Sequence, residues 1–339
     1  MLVPKPVLLT LAFVVAQSFV PQTACDRRVP PPSQNDPWAN APITETITTS
    51  DGVRLGVQVL LTNVQIPWAL AFAPDGRLFF TERPGRVRVV QNGSLLAQPA
   101  LTLTDSAGVV LLDNVQAGGG HNGARVRFGP DGKLYVTFGD ANVPGYAQTL
   151  SIYAGKILRL NDDGSTPADN PFGSPVWTWG HRHPQGIDWH PQTGEMWATE
   201  HGQSGNDELN LIARGQNYGW PAIEAGQTRP DMITPVLFYG FPAIAPSGLS
   251  FYTSTRIPQF ARNIFFATLN GMHVHRVVLS ASNPRLPVAE ERLFEGRFGR
   301  IRDVITGPDG ALYFCTSNRD GRTTPVATDD RIARIIPVQ

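Results

Sequence analysis

Four segments of the chain repeat one arrangement of polar and apolar positions: PDGRLFFTERPGRVRVV from Pro74, PDGKLYVTFGDA from Pro130, PQTGEMWATEHG from Pro191 and PDGALYFCTSNRDG from Pro308. Each opens with a Pro-Asx-Gly turn or a close variant, runs through an apolar or aromatic strand, and ends in a polar or glycine-containing break. A looser fifth copy, ARNIFFATLNGMHVHRVVL from Ala261, keeps the strand pair without the leading turn. Upstream of the copies lie IPWALAFAP, GARVRFGP, PQGIDWHP, PSGLSFY and IRDVITGP, each a strand that ends where its turn begins. Repetition at this spacing, with almost no helical periodicity, predicts an all-β protein of the propeller class. The competing arrangement, unrelated hairpins stacked as a β-sandwich, seldom repeats one turn-and-strand grammar.

In a propeller the upstream strands are innermost and line the central channel. The residues at their starts, His121, Arg182, Pro246 and Arg300, are therefore predicted to meet at one mouth of that channel, although they lie far apart in sequence.

Composition narrows the rest. Lys plus Arg equals Asp plus Glu, 28 against 28, and no basic run of the kind that tracks phosphates is present, so nucleic acid is not an expected partner. At the N-terminus Lys5 precedes an apolar run, residues 7–20, too short for an ordinary membrane span and matched to the core of an export signal. Residues 1–25 read as that signal, with Cys25 a site for lipid attachment and a membrane tether, although Gln22 stands where a lipoprotein signal usually has an aliphatic residue. Residues 26–42, rich in Pro, Asn and Ser, read as a flexible linker, and residues 43–339 as the propeller domain. The expected location is periplasmic or extracellular. Cys315, inside an apolar strand, reads as a small buried hydrophobe.

The chemistry-bearing residues each carry two readings. His121, flanked by glycines in AGGGHNG, is a natural general base, or a loop histidine without a role. Arg182, Arg300 and Arg302 at the starts of inner strands would bind an anionic ligand, or would pair with Asp303 or Glu295. Arg300 and Arg302, two apart, share one strand face. His181 with His183, and His273 with His275, have the local spacing of zinc ligands, which makes a metal-dependent hydrolase a rival reading. The loop HGQSGNDELN, residues 201–210, offers carbonyl oxygens to a hard cation such as calcium, or Asp207 and Glu208 hold the loop together. No nucleophile elbow, phosphate loop or dinucleotide fingerprint is present.

Several long motifs occur in a characteristic order: GKILRLNDDGSTPADNPF, WGHRHPQG, TEHGQSGNDELNLI, GQNYGWP and GRIRDVITGPDG. With these, the chain from about Ile66 to its C-terminus resembles the soluble, pyrroloquinoline-quinone (PQQ)-dependent aldose sugar dehydrogenases, the glucose/sorbosone dehydrogenase family. The resemblance implies a six-bladed propeller with PQQ over the channel and Ca2+ bridging it to the protein, oxidising aldoses at the anomeric carbon. It further implies that His121 is the base, that Arg182 lies beside the quinone oxygens, that Arg300 and Arg302 bind the cofactor carboxylates, and that the carbonyls of Gly202 and Gln203 bind calcium.

Three departures stand out. His183 replaces the family's usual Asn beside Arg182, and a cofactor-binding lysine of the best-studied members falls near Asn270. Between GSLLAQPALTLT and VVLLDNVQAGGGHNG most of one blade is absent and five repeats are visible, which makes the chain either a five-bladed variant or a truncated copy with a strained closure. A non-catalytic propeller that binds carbohydrate or a protein partner is the alternative function.

Overall fold

The Pro-Asp-Gly grammar works through one local device. In three copies the aspartate accepts a hydrogen bond from the backbone amide two residues on: Asp75 from Arg77, Asp131 from Lys133 and Asp309 from Ala311, each at 3.1 Å. The glycine between them adopts the left-handed backbone, with φ of +86° at Gly76, +72° at Gly132 and +77° at Gly310. This reverses the chain tightly enough to pair the flanking strands antiparallel.

The computed structural model describes residues 36–103, 110–123 and 125–339. The signal and lipid-attachment reading of residues 1–25, and the linker up to residue 35, lie outside the described residues. Five antiparallel sheets form the blades. Blade I comprises Pro67–Phe72, Leu78–Glu82 and Arg86–Gln91, whose last strand also pairs with Ser94–Leu95 and Leu101–Thr102. Blade II comprises Val126–Phe128, Leu134–Phe138, Lys156–Leu160 and Val176–Trp179. Blade III comprises Pro184–Trp189, Met196–Glu200, Asp207–Ile212 and Leu237–Tyr239. Blade IV comprises Pro246–Phe251, Ile264–Thr268, Val274–Leu279 and Pro287–Leu293. In blade V the C-terminal strands Ile301–Thr306, Leu312–Thr316 and Ile332–Pro337 are completed by the N-terminal strands Arg54–Leu61 and Ile43–Thr48. The pairing of Arg54–Leu61 with Ile332–Pro337 ties the two ends of the propeller domain together within one sheet.

The structure is thus a five-bladed propeller, one blade for each repeat. Residues 36–42, which composition assigns to the linker, include a segment packed on blade V. Asp36 Oδ2 lies 2.8 Å from Arg334 Nη2, and the Trp38 ring lies 5.9 Å from that of Tyr313. The packed body therefore begins upstream of Ile43.

Apolar clusters join blade V to blade IV, blade V to blade I, blade III to blade IV and blade II to blade III. The fifth cluster is different: it consists of blade II residues such as Leu134, Val136 and Leu158, with Leu111, Leu112 and Val115 of the connecting segment packed against them. Among the described residues no cluster joins blade I to blade II, the position of the absent blade.

A buried ion pair closes the axis instead. Arg125 Nη1 lies 3.1 Å from Asp303 Oδ2, and Arg125 Nε donates to the Gln185 carbonyl at 3.0 Å. The Leu70 amide donates to the same Asp303 oxygen at 2.9 Å. Gly248 lets Asp303 approach, because a Cβ there would sit 1.7 Å from Asp303 Oδ1. Leu70, Gln185, Gly248 and Asp303 belong to the inner strands of blades I, III, IV and V, and Arg125 directly precedes that of blade II. One pair therefore lies against the inner strands of four blades and directly precedes that of the fifth. Cys315 is buried in the cluster between blades V and I, as expected, and burial pushes its thiol up.

Candidate active site

The connections at one end of the inner strands carry the site. His121 has a left-handed backbone, φ +53°, which turns the chain out of the glycine-rich segment and into blade II. Its Nδ1 lies 2.8 Å from Asp140 Oδ1, and its ring stacks on His183 at 4.9 Å between centroids. Gly139 makes this approach possible: a Cβ there would meet the His121 carbonyl and His183 Nδ1. Burial alone would raise the Asp140 carboxyl. Hydrogen bonds from His121, the Asn142 amide and the Trp220 indole outweigh it and hold Asp140 below its ordinary value. An ionised Asp140 fixes a proton on His121 Nδ1, which leaves Nε2 free to accept one.

His183 is buried between His121 and His201, with centroids 4.9 Å and 5.0 Å away. Burial first, and then the electrostatic influence of His201, His121, Arg182 and Arg302, drive it well below the usual histidine range. His201 is lowered to about 3 by burial, and the charges of Arg302, Arg182 and His121 reach it too. His121, Arg182 and Arg302, in or just before the inner strands of three different blades, therefore all act on His183 and His201, and Pro246 acts on His201; among the described residues Arg300 reaches this group only through Arg302 and Asp320.

Arg182 lies over the Trp220 ring at 5.3 Å, and its Nη1 donates to the carbonyl oxygens of Gly202 at 2.7 Å and His201 at 3.2 Å. Arg300 and Arg302 share one face, as expected, but neither pairs with Asp303 or Glu295. Both meet Asp320 Oδ2, at 3.0 Å and 3.2 Å. Asp303 is taken by Arg125, and Glu295 pairs with Arg292. Arg300 also donates to Asn270 Oδ1 at 2.8 Å, and the Arg302 guanidinium lies 4.1 Å from the Trp68 ring centre. With two cations on one carboxylate, a net positive charge remains. Arg302 Nε and Arg182 Nε are buried without a hydrogen-bond partner among the described residues.

The histidine pairs do not form zinc sites. His181 turns Nδ1 to Glu200 and Nε2 to Thr178, away from His183. His273 Nε2 bonds directly to His275 Nδ1 at 2.9 Å, which spends the nitrogens a metal would need. Among the described residues, no group of three His, Cys, Asp or Glu side chains could hold a metal ion. In the loop at residues 201–210, Asp207 accepts amides from Gly202, Ile244 and Ala245, and Glu208 accepts one from Ala225. These carboxylates hold the loop, while the Gly202 carbonyl faces Arg182 and Gln203 is exposed.

Sequence reasoning does not reach Asp140, Trp220, Asp320 and Trp68 as site residues. Asp140 sits in FGDA at the break of the second repeat, and Asp320 in NRDG at the break of the last, so the polar residue ending each repeat was the available signal.

The chain matches the family model for glucose/sorbosone dehydrogenase over residues 64–110 and 96–325. It is 30% identical to the aldose sugar dehydrogenase YliI of Escherichia coli K12, covering 80% of this chain and 93% of that protein. A Synechocystis protein without an assigned activity is 31% identical over 372 residues, covering 84% of this chain and 86% of the relative. An alignment longer than this 339-residue chain that covers only part of it contains positions the chain lacks. Among solved structures, the PQQ-bound aldose sugar dehydrogenase of Streptomyces coelicolor superposes with a TM-score of 0.71 at 28% identity, covering 83% of this chain and 98% of the other. A Thermus thermophilus oxidoreductase of glucose dehydrogenase type gives 0.75 at 34%, covering 83% of this chain and 100% of the other. By sequence and by fold, the chain belongs to the glucose/sorbosone dehydrogenase family.

Proposed function

We propose that this chain is an exported quinoprotein that oxidises aldose sugars at the anomeric carbon to lactones. The observation that carries the reading is the His121–Asp140 pair, 2.8 Å apart, stacked on a neutral His183 within electrostatic reach of Arg182 and Arg302. This constellation combines a base with free Nε2 and a cationic wall, which is what removal of a hydroxyl proton beside an anionic cofactor requires.

The residues present fit PQQ. Its carboxylates suit Arg300 and Arg302, which among the described residues share a single carboxylate, Asp320, and the partnerless Arg302 Nε is a ready donor. Asn270 completes that wall through Arg300, and Trp68 backs Arg302. His183 is buried and uncharged, so its ring backs His121 by stacking without adding a charge. Arg182, with its own partnerless Nε, lies where it would face the quinone oxygens. Gly202 and Gln203 supply the hard carbonyl oxygens that Ca2+ prefers, and Arg182 would release the Gly202 carbonyl when calcium binds. When bound, PQQ supplies the two-electron acceptor that no side chain provides. His121 Nε2 takes the proton of the anomeric hydroxyl, and Asp140 stabilises the resulting imidazolium without leaving its position.

The signal reading of residues 1–25 supports a periplasmic or extracellular location, with a tether through Cys25 and a soluble or membrane electron acceptor. Titration of the signal-free protein with PQQ in calcium buffer, followed by dye reduction with a panel of aldoses, tests the reading. Saturable binding with sugar-dependent reduction is the expected result. Absence of both would leave the propeller as a binding module that lost its cofactor with the missing blade.

A further inference from the structure

Blade II contains a buried cation that neither the proposed cofactor nor the sugar needs directly. Lys156 begins the strand Lys156–Leu160 and is fully buried. Its ammonium group donates to three backbone carbonyls, those of Tyr146 at 2.7 Å, Ala147 at 3.0 Å and Ala154 at 2.9 Å. Three donors thus meet three acceptors, which offsets a burial that by itself pushes the ammonium down to about 7.

Two of those carbonyls belong to the short 3-10 turn Pro144–Gln148 within the loop at residues 140–151. The loop begins at Asp140, the partner of His121. Its other end reaches Trp220. Gln148 Nε2 donates to the Trp220 carbonyl at 2.7 Å and to Asn217 Oδ1 at 3.0 Å, and Asn217 Nδ2 returns a bond to Gln148 Oε1 at 3.0 Å. The Trp220 indole donates back to Asp140 Oδ2 at 2.9 Å, and its ring lies under Arg182. The Ala147 carbonyl also accepts the Gly180 amide at 3.0 Å, just before Arg182 in the chain. Gly155 lets the loop lie this close, because a Cβ there would sit 2.6 Å from Ala147 Cα.

We propose that Lys156 is a positioning residue for the reaction: by clamping the 140–151 loop it holds Asp140 against His121 and Trp220 under Arg182. The activity part of this inference rests on the aldose oxidation proposed above. It does not involve Arg300 and Arg302, the carboxylate-binding arginines of blade V.

The test compares Lys156→Met with Lys156→Arg by amide hydrogen exchange on the chain without added cofactor, and by PQQ binding and aldose turnover. In Lys156→Met the amides of Thr149, Ile152 and Gly180, which bond within or onto this loop, should exchange roughly 10-fold faster or more, while those of blades IV and V stay unchanged. Turnover should fall by roughly 10-fold at unchanged PQQ affinity, because small misplacements of a base are costly, and Lys156→Arg should recover part of it. Unchanged loop exchange in Lys156→Met overturns the clamp. Should that variant fail to fold, Gln148→Ala decides, since it cuts the loop from Trp220 at a half-buried position: wild-type turnover there overturns the proposal. An unaltered chain that oxidises no aldose, yet shows the loop loosened in Lys156→Met, would sink the sugar reading and leave the clamp standing.

Discussion

The inner strands of blades III, IV and V are buried almost end to end, whereas those of blades I and II are not. Pro184–Trp189 and Pro246–Phe251 have every residue buried, and Ile301–Thr306 all but its last. In blade I, Ala71 of the inner strand is exposed, and in blade II Phe128 is 46% exposed. The less buried PWALAF of blade I is more apolar than the buried PQGIDW of blade III or IRDVIT of blade V, so the difference lies in what stands beside the strands. A propeller blade buries both faces only when it has a neighbour on each side, and the connection between blades I and II is too short to supply one. The lesson is that a repeat can be deleted from a ring when its axis is held by something other than blade-to-blade packing. Here that is Arg125 with Asp303.

The sharpest way to break the comparison is therefore at the axis. Arg125→Met should lower the unfolding free energy by about 3–5 kcal/mol, because it strands a buried carboxylate. A urea midpoint and slope matching the unaltered protein would show that the pair does not join the two regions.

The proposed site straddles the same divide, with its base on the blade II side and its cofactor wall on blade V. His121→Ala should reduce aldose turnover by roughly 100-fold or more while leaving PQQ affinity nearly intact, as expected of a general base. Turnover that survives the change would remove His121 from that role. Arg302→Ala should show the reverse split, with PQQ affinity weakened by about 10-fold or more on loss of a charge-assisted contact. Equal quinone affinity in direct titration would count against the assignment.

A smaller effect sharpens the character of the packed arc. His273 in blade IV is lowered from 6.5 to about 4, chiefly by burial, despite the Gly271 carbonyl, which favours its charged form. His275, Arg292 and Glu295 also face it, and Glu290 lies beyond His275. A histidine kept neutral by folding adds stability above its unfolded value, and that stability is lost as pH falls from about 6.5 toward 4. His273→Asn should accordingly flatten the decline in urea midpoint over that window. A decline as steep as that of the unaltered protein would mean that His273 does not contribute.

Much of the architecture is legible in the sequence because it is local. Each Pro-Asp-Gly turn closes on its own aspartate, as at Asp75 and Asp131, and needs no distant partner. The phase of those turns leads one to expect His121, Arg182 and Arg300 at one mouth. It cannot tell that Asp320 rather than Asp303 answers Arg300 and Arg302. Both are acidic and both lie in the same blade, and only the strand's packing sends Asp303 to the axis. Asp36 is unreadable for the same reason, since a Pro-rich segment looks unstructured until Arg334, 298 residues away, is brought beside it.

The repeated strands, their turns and the count of five repeats are readable in the sequence alone, since they follow from patterns within about forty residues, the length of one blade, whereas the N-terminal strands that complete blade V carry no such pattern. The tertiary structure alone decided which cation meets which carboxylate, how the ring closes across a missing blade, and that Lys156 ties Asp140 to Trp220. Those outcomes depend on side chains from different blades competing for the same partners in a buried space, where geometry, and not chain order, sets which contacts form.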